Sequence, residues 1–202
     1  APAHPRRPAS GTAVIPRLYH LGELGFYMDE ETTAFASRAM AEGKPPQMPS
    51  GMPYHRALLH TFMNALSARV FGLNNEFSYR LPGAILGILT VPLLFLFARP
   101  MVGTPVALLA ALLLAFSEWH IFTSRQARMY APFLFFYTAC VFSILRCAQS
   151  DDNRDLVISI VLFIVTVTFH NLGVFAAFAP FIALFIPGYS RAPTYKLILF
   201  ST

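Results

Sequence analysis

The fold class predicted for this 202-residue sequence is all-α: a polytopic transmembrane helix bundle with amphipathic interfacial helices in the first external loop. Three stretches without a charged residue predict it: 18 residues between Arg80 and Arg99, 18 between Arg99 and Glu118, and 17 between Arg128 and Arg146. At ~1.5 Å per residue each reaches about 27 Å, close to the ~30 Å of a bilayer's hydrocarbon core. Arginines snorkelling at the ends supply the remainder. The composition agrees: 55% of residues are hydrophobic and only 12% charged, with 20 Phe and a mean hydropathy of +0.53. A soluble domain carries about 25% charged residues. Lipid is the solvent that suits this chain.

Taken in order, residues 1–20 hold Arg6, Arg7, Arg17 and four prolines, with no apolar span and no signal peptide. The last residues open a new apolar run at Lys196–Phe200. The chain is therefore expected to be part of a longer protein, with 191–202 beginning a further span. Residues 21–80 are expected to form a first external loop with two interfacial helices. Glu31 to Glu42 is Ala-rich, opened by Asp29-Glu30-Glu31 and closed by Gly43-Lys44-Pro45-Pro46, which are helix start and stop signals. A second helix follows Pro53. Tyr54, Leu58, Leu59, Phe62, Met63, Leu66, Val70 and Phe71 line one face of it, while Arg56, His60, Asn64 and Ser67 lie elsewhere. That pattern suits a helix lying in the membrane interface.

About five spans are expected over 81–190, at 81–98, 100–117, 129–145, 156–170 and 173–187. The last two come from one run, Leu156 to Ser190, which is too long for one span and is interrupted by His170-Asn171-Leu172-Gly173. A single tilted helix followed by a coil is the alternative there. Short connections favour antiparallel neighbours. One face of the membrane then receives Arg99, the 146–155 loop, Arg191 and Lys196, and the other receives 118–128, His170 and everything before residue 80. The first carries five Lys or Arg in short loops and the second carries Arg125 and Arg128 alone, which places the first in the cytoplasm. The net charge of +5 and the pI near 9.5 are thus a topology signal, and nucleic acid is not an expected partner because the basic residues are not clustered. Cys140 and Cys147 are seven residues apart, about 10 Å along a helix, too far for a disulfide. They read as buried thiols acting as small hydrophobes.

Three polar groups converge on the external face in this topology. Asp29 and Glu30 form the first, His120 with the stretch from Ser124 to Tyr130 the second, and His170-Asn171 the third. Asp29 and Glu30 read as a helix cap with acids in the first turn, and one of the two carboxylates reads as a general base that accepts a hydroxyl proton during group transfer. The two readings are compatible, since a capping carboxylate can still face a cavity. Arg125 and Arg128 are either interfacial anchors beside Trp119 or a clamp for a lipid phosphate, since Arg presents a planar fork of donors to phosphate oxygens. Their spacing of three puts them on neighbouring positions of one helix face. His120 and His170 suit interfacial hydrogen bonding. No HExxH or other ligand spacing appears, so no metal site is assigned, and there is no phosphate-binding GxxxxGK[ST] loop, GxGxxG or Ser/His/Asp pattern.

Several of these stretches resemble a known family. Arg17-Leu18-Tyr19-His20-Leu21-Gly22 followed by Tyr27-Met28-Asp29-Glu30 looks like the opening of the first external loop of GT-C-type glycosyltransferases, which include protein O-mannosyltransferases and the aminoarabinose transferase of lipid A. The Pro53-Tyr54 helix, Phe71-Gly72, Glu76-Phe77-Ser78-Tyr79-Arg80-Leu81-Pro82 and Ser124-Arg125-Gln126-Ala127-Arg128-Met129-Tyr130 are similar in order and spacing, so the resemblance covers roughly residues 15–190. It implies an inverting transfer of a sugar from a polyprenyl-phosphate donor to a hydroxyl on the external face. Asp29 would deprotonate or orient the acceptor hydroxyl, with Glu30 beside it as the second catalytic carboxylate; Arg125, Arg128 and Tyr130 would hold the donor phosphate; His120 and His170 would support them.

The implied partners are membrane lipids, the lipid-linked sugar donor, and an acceptor protein, lipid or polysaccharide. No certain cofactor is implied, and dependence on a divalent metal stays open. The implied location is the bacterial inner (plasma) membrane, as a multi-pass protein. The chain departs from the family where a first transmembrane helix is expected before Arg17, and it is expected to be incomplete as an enzyme. The competing class is a transporter or flippase of lipid-linked substrates, which would place ionisable residues within spans rather than at their ends. A non-catalytic membrane scaffold is the third.

Overall fold

The computed structural model describes residues 14–150 and 152–180 of the chain. The described residues form helices joined by turns and loops, with an isolated β-bridge between Gln47 and Pro53. In order they are α1 (Ile15–Leu18), α2 (Glu30–Ala41), α3 (Leu58–Phe71), α4 (Glu76–Val102), α5 (Thr104–Phe116), α6 (Glu118–Ser124), α7 (Tyr130–Gln149) and α8 (Asn153–Phe169), followed by a 3₁₀ helix over Asn171–Phe178. The all-α fold class holds. The expected residues 181–187 of a fifth span and the start of a further span at 191–202 lie outside the described residues, as do residues 1–13.

Two helices, α4 and α7, are long and apolar enough to cross a membrane, and α5 with α6 adds a third if the bent pair is one span. Asn75 starts α4 by accepting the Phe77 N–H at 3.0 Å, and Gly103, at φ 81°, ends it. The first apolar helix therefore runs through Arg99 and Pro100 to Val102 instead of stopping at residue 98, because the left-handed backbone that breaks it comes only at the glycine. Its successor is short. α5 has 13 residues, about 20 Å, and at Ser117 the chain bends by 59° into α6. Ser117 caps that second piece through its side chain, which accepts the His120 N–H. α8 has 17 residues and begins at Asp152, whose carboxylate accepts the Arg154 N–H at 2.9 Å. After His170 the chain continues as a 3₁₀ helix through Phe178.

α7 is the central helix of the bundle. It packs on α4 through the stacked rings of Phe97 and Phe142, and on α8 through stacked Phe136 and Phe169. The hydroxyls of Ser143 and Ser159 meet at 2.8 Å between the same two helices. Cys140 and Cys147 are both buried.

A four-residue glycine repeat sets the position of the α6–α7 bend. Gly83 and Gly87 lie on one face of α4, where a Cβ on Gly83 would come within 3.0 Å of the Gln126 carbonyl. One on Gly87 would come within 2.2 Å of the Ser124 Oγ and 2.6 Å of its Cβ. Such small-residue stripes let backbones approach closely in membrane helices. Gly87→Ala is expected to push the 124–126 turn away and destabilise the fold by about 1–3 kcal/mol, with Gly87→Leu worse. A thermal melt of the detergent-solubilised protein measures it, and an unchanged midpoint for both variants would refute the close approach.

The two helices before the bundle differ in an instructive way from their expected layout. α2 falls within a residue of its predicted limits, and Arg69 of α3 caps its end by donating to the Ala41 carbonyl at 2.7 Å. α3 begins at Leu58, later than Pro53 suggests, and Tyr54 is a buried loop residue rather than part of its apolar face. The faces of α3 are sorted as for a lipid environment. Leu58, Phe62, Leu66 and Val70 are exposed, while His60, Thr61, Asn64 and Ser67 are buried; α3 packs on α2 and α4, and Ala68 meets Ala127 of the α6–α7 bend. In water that arrangement would be inside out.

Candidate active site

The short connection before α2 and the bend before α7 meet through two adjacent acids with opposite fates. Glu30 is 1% exposed and sits in a bidentate pair with Arg80, Nε to Oε1 at 3.0 Å and Nη2 to Oε2 at 2.9 Å. The same carboxylate accepts the Ala127 N–H at 2.6 Å and the Tyr27 N–H at 2.8 Å. Arg80 uses its remaining donors on the carbonyls of Leu21, Leu24 and Gly25, so all five of its N–H groups are engaged. Its guanidinium also lies over the Phe26 ring. A buried charge pair with every donor and acceptor satisfied can persist where a bare charge could not. Glu30 and Arg80 therefore join the loop 21–27, the start of α4 and the bend at Ala127 into one unit. Ala127 itself packs, fully buried, among Ala34, Ala68 and Tyr79.

Asp29 faces the other way. Its side chain is 71% exposed, and its Oδ2 lies 3.3 Å from Nη2 of Arg128, a residue that is itself buried. Asp29 occupies the N-cap position of α2, yet its carboxylate makes no capping bond. It stays available to solvent because the first turn is tied down by Glu30 and by Thr32, whose hydroxyl donates to the Asp29 carbonyl at 2.8 Å. Met28, just before it, holds a left-handed backbone at φ 47°, a conformation that costs a non-glycine residue free energy.

Arg128 is held from three sides. Nη1 donates to the Asp29 carbonyl and to the Thr33 Oγ1, each at 3.2 Å, and the Thr33 hydroxyl in turn meets the Tyr54 hydroxyl at 3.2 Å. The guanidinium carbon sits 5.7 Å from the centre of the Tyr130 ring. Tyr130 neighbours the His170 ring at 6.5 Å, and His170 accepts the Leu172 N–H through Nδ1, which places its own proton on Nε2. Asp29, Arg128, Tyr130 and His170 thus follow one another from the start of α2 across the start of α7 to the end of α8.

The other expected site residues are bonded elsewhere. Arg125 and Arg128 do not share a helix face, because the chain leaves α6 at Ser124 and turns before α7 starts at Tyr130. Arg125 reaches back to the end of α1, donating to the carbonyls of Pro16 at 2.8 Å and Tyr19 at 2.7 Å. His120 accepts from Arg17 Nη2 at 2.7 Å through Nδ1, and Arg17, wholly buried, also donates to the Ala115 carbonyl at 3.1 Å near the end of α5. Among the described residues no group of three or more His, Cys, Asp or Glu comes together as a metal site.

Sequence reasoning assigned no site role to Arg80, Thr33, Tyr54, Arg17 or His60. Arg80 carried a signal nonetheless, since it sits in the Glu76–Pro82 stretch that resembles the glycosyltransferase family. His60 had none. It is fully buried on α3 beside Asn64, and burial with nearby Arg128 pushes its pKa down to about 4, so it stays neutral near pH 7.

Apolar helices of spanning length, with an exposed carboxylate and a buried guanidinium meeting at the point where one of them begins, define an integral membrane protein with a polar site at the ends of its helices. The chain belongs to the dolichyl-phosphate-mannose-protein mannosyltransferase family, whose profile matches residues 55–200, well over half of it. This is a family of membrane glycosyltransferases. The matched stretch includes Arg80, Arg125, Arg128 and Tyr130, while Asp29 and Glu30 precede it. Comparison with curated proteins and with solved structures gave no match.

Proposed function

We propose that this protein transfers a sugar from a polyprenyl-phosphate donor to a hydroxyl acceptor at the external face of the membrane, with inversion at the anomeric carbon. The observation that carries the reading is the 3.3 Å approach of the solvent-open Asp29 carboxylate to the Arg128 guanidinium at the head of a hydrophobic helix. Asp29 accepts the acceptor's hydroxyl proton as that oxygen bonds to the anomeric carbon. The bond from that carbon to the phosphate oxygen breaks on the opposite side, and its electron pair leaves with the phosphate. Arg128 stabilises the negative charge that grows there. Three of its five N–H groups are held by Asp29 and Thr33, which leaves two for the phosphate. Lipid phosphate is a competent leaving group, so no separate acid is needed.

In this reading Tyr130 and His170 line the site. Glu30, Arg125 and His120, each bonded into the scaffold, act as positioning residues. The acceptor's class and the bacterial inner membrane as location belong to the same proposal. The test is transfer of labelled mannose from a polyprenyl-phosphate donor by the full-length protein in vesicles. Arg128→Gln is expected to lower kcat/KM for the donor by about a hundredfold, the loss typical of removing one charge-stabilising donor. Transfer unaffected by that change would overturn the role of Arg128; the absence of transfer from any polyprenyl-phosphate sugar would overturn the function.

A further inference from the structure

Where α2 ends and α3 passes beneath it, the surface holds a groove of about 200 Å³ that the reaction does not use. Met40, Phe62 and Leu66 give it apolar walls, and Lys44 and Arg69 stand at its polar rim. Phe62 and Leu66 belong to the exposed apolar ridge of α3, which continues along the helix through Leu58 and Val70 at steps of four. A groove with greasy walls that runs on into a greasy ridge suits a hydrocarbon chain.

The rim is unbalanced in charge. Lys44 and Arg69 are the charged residues that line the groove, and beside it Glu42 pairs with Lys44 at 2.8 Å and with Arg38 at 3.1 Å. Arg69 uses two donors on the carbonyls of Ala41 and Met40, and it thereby offsets the negative end of the α2 dipole. The rim therefore keeps a net positive charge beside an apolar channel. Its depth also fits. Four residues separate the end of α3 from the start of α4, the longest spanning helix, so the groove lies close to where the chain enters the membrane and where phosphates of lipid headgroups reside.

We infer that this groove binds an anionic phospholipid, its phosphate at Lys44 and Arg69 and an acyl chain against Phe62 and Leu66. The inference depends on the chain being a membrane protein and is independent of the transfer chemistry at Asp29. Each basic residue near an anionic surface contributes about fivefold in binding. Two variants outside the site move the charge in opposite directions: Lys44→Gln removes a cation, and Glu42→Gln removes the opposing carboxylate.

The experiment places the full-length protein in nanodiscs of equal phosphatidylglycerol and phosphatidylcholine, and then counts tightly retained lipid by native mass spectrometry. Phosphatidylglycerol is expected to be enriched over the bath. Lys44→Gln should reduce the enrichment about fivefold, and Glu42→Gln should raise it, a gain that misfolding cannot imitate. Retained lipid in the bath ratio, or enrichment indifferent to both variants, overturns the assignment. Loss of the lipid to millimolar inorganic phosphate, or a lipid-free dimer joined along α3, would give the groove to another occupant and overturn it equally.

Discussion

Replacing Asp29 with Asn is expected to slow sugar transfer by about 10²–10⁴-fold while leaving folding and membrane insertion intact. The amide keeps the shape of the side chain and can still accept from Arg128, but it cannot take a proton from an acceptor hydroxyl. Stability should not change, because the side chain is largely exposed and makes no cap bond to α2. A scaffold role predicts the reverse, a silent substitution. The measurement pairs transfer rate with thermal midpoint on the same preparation. Normal turnover by Asp29→Asn would remove the acid from the mechanism; lost turnover together with a collapsed midpoint would mean its role is structural.

The neighbouring substitution should fail in the opposite manner. Glu30→Gln is expected to destabilise the protein by about 3–5 kcal/mol, the usual consequence of leaving one member of a buried ion pair alone. The new amide group would turn a donor toward Arg80, whose Nε and Nη2 need acceptors, or toward the Ala127 N–H. Loss of activity should follow loss of the folded state, since the bend that carries Arg128 is anchored through Ala127. Replacing both partners, Glu30→Met with Arg80→Met, should recover part of the stability by removing the stranded charge. Recovery should be incomplete, because the carbonyls of Leu21, Leu24 and Gly25 lose the donor they share. A Glu30→Gln protein with an unaltered midpoint would refute the structural role, and an intact fold with no turnover would return Glu30 to the catalytic group.

The sequence reading paired Asp29 and Glu30 as one catalytic couple, and their separation shows where such reading stops. Consecutive residues at the start of a helix point about 100° apart, so one can face solvent while the other faces the core. Which one does so depends on Arg80, fifty residues later in the chain, and no local pattern carries that information. Arg125 and Arg128 are a similar case. A spacing of three means a shared face only if the helix is continuous, and here the chain turns between them. The close packing of the bend on Gly83 and Gly87 is what holds that turn. For α3 the pattern of apolar residues was legible, but periodicity alone says nothing about which face meets lipid.

By itself, then, the sequence determined that the chain is helical and membrane-bound, and roughly where α2, α4 and α7 run. Charge-free length, proline and glycine punctuation and helical hydrogen bonding all act within a few residues, so they can be read one stretch at a time. Only the tertiary structure decided that Glu30 is buried against Arg80, that Asp29 stands open beside Arg128, and that Arg125 and His120 serve α1 and α5 instead of the site. Those outcomes turn on hydrogen bonds between groups 50 to 109 residues apart, whose energies exist only once the helices have packed.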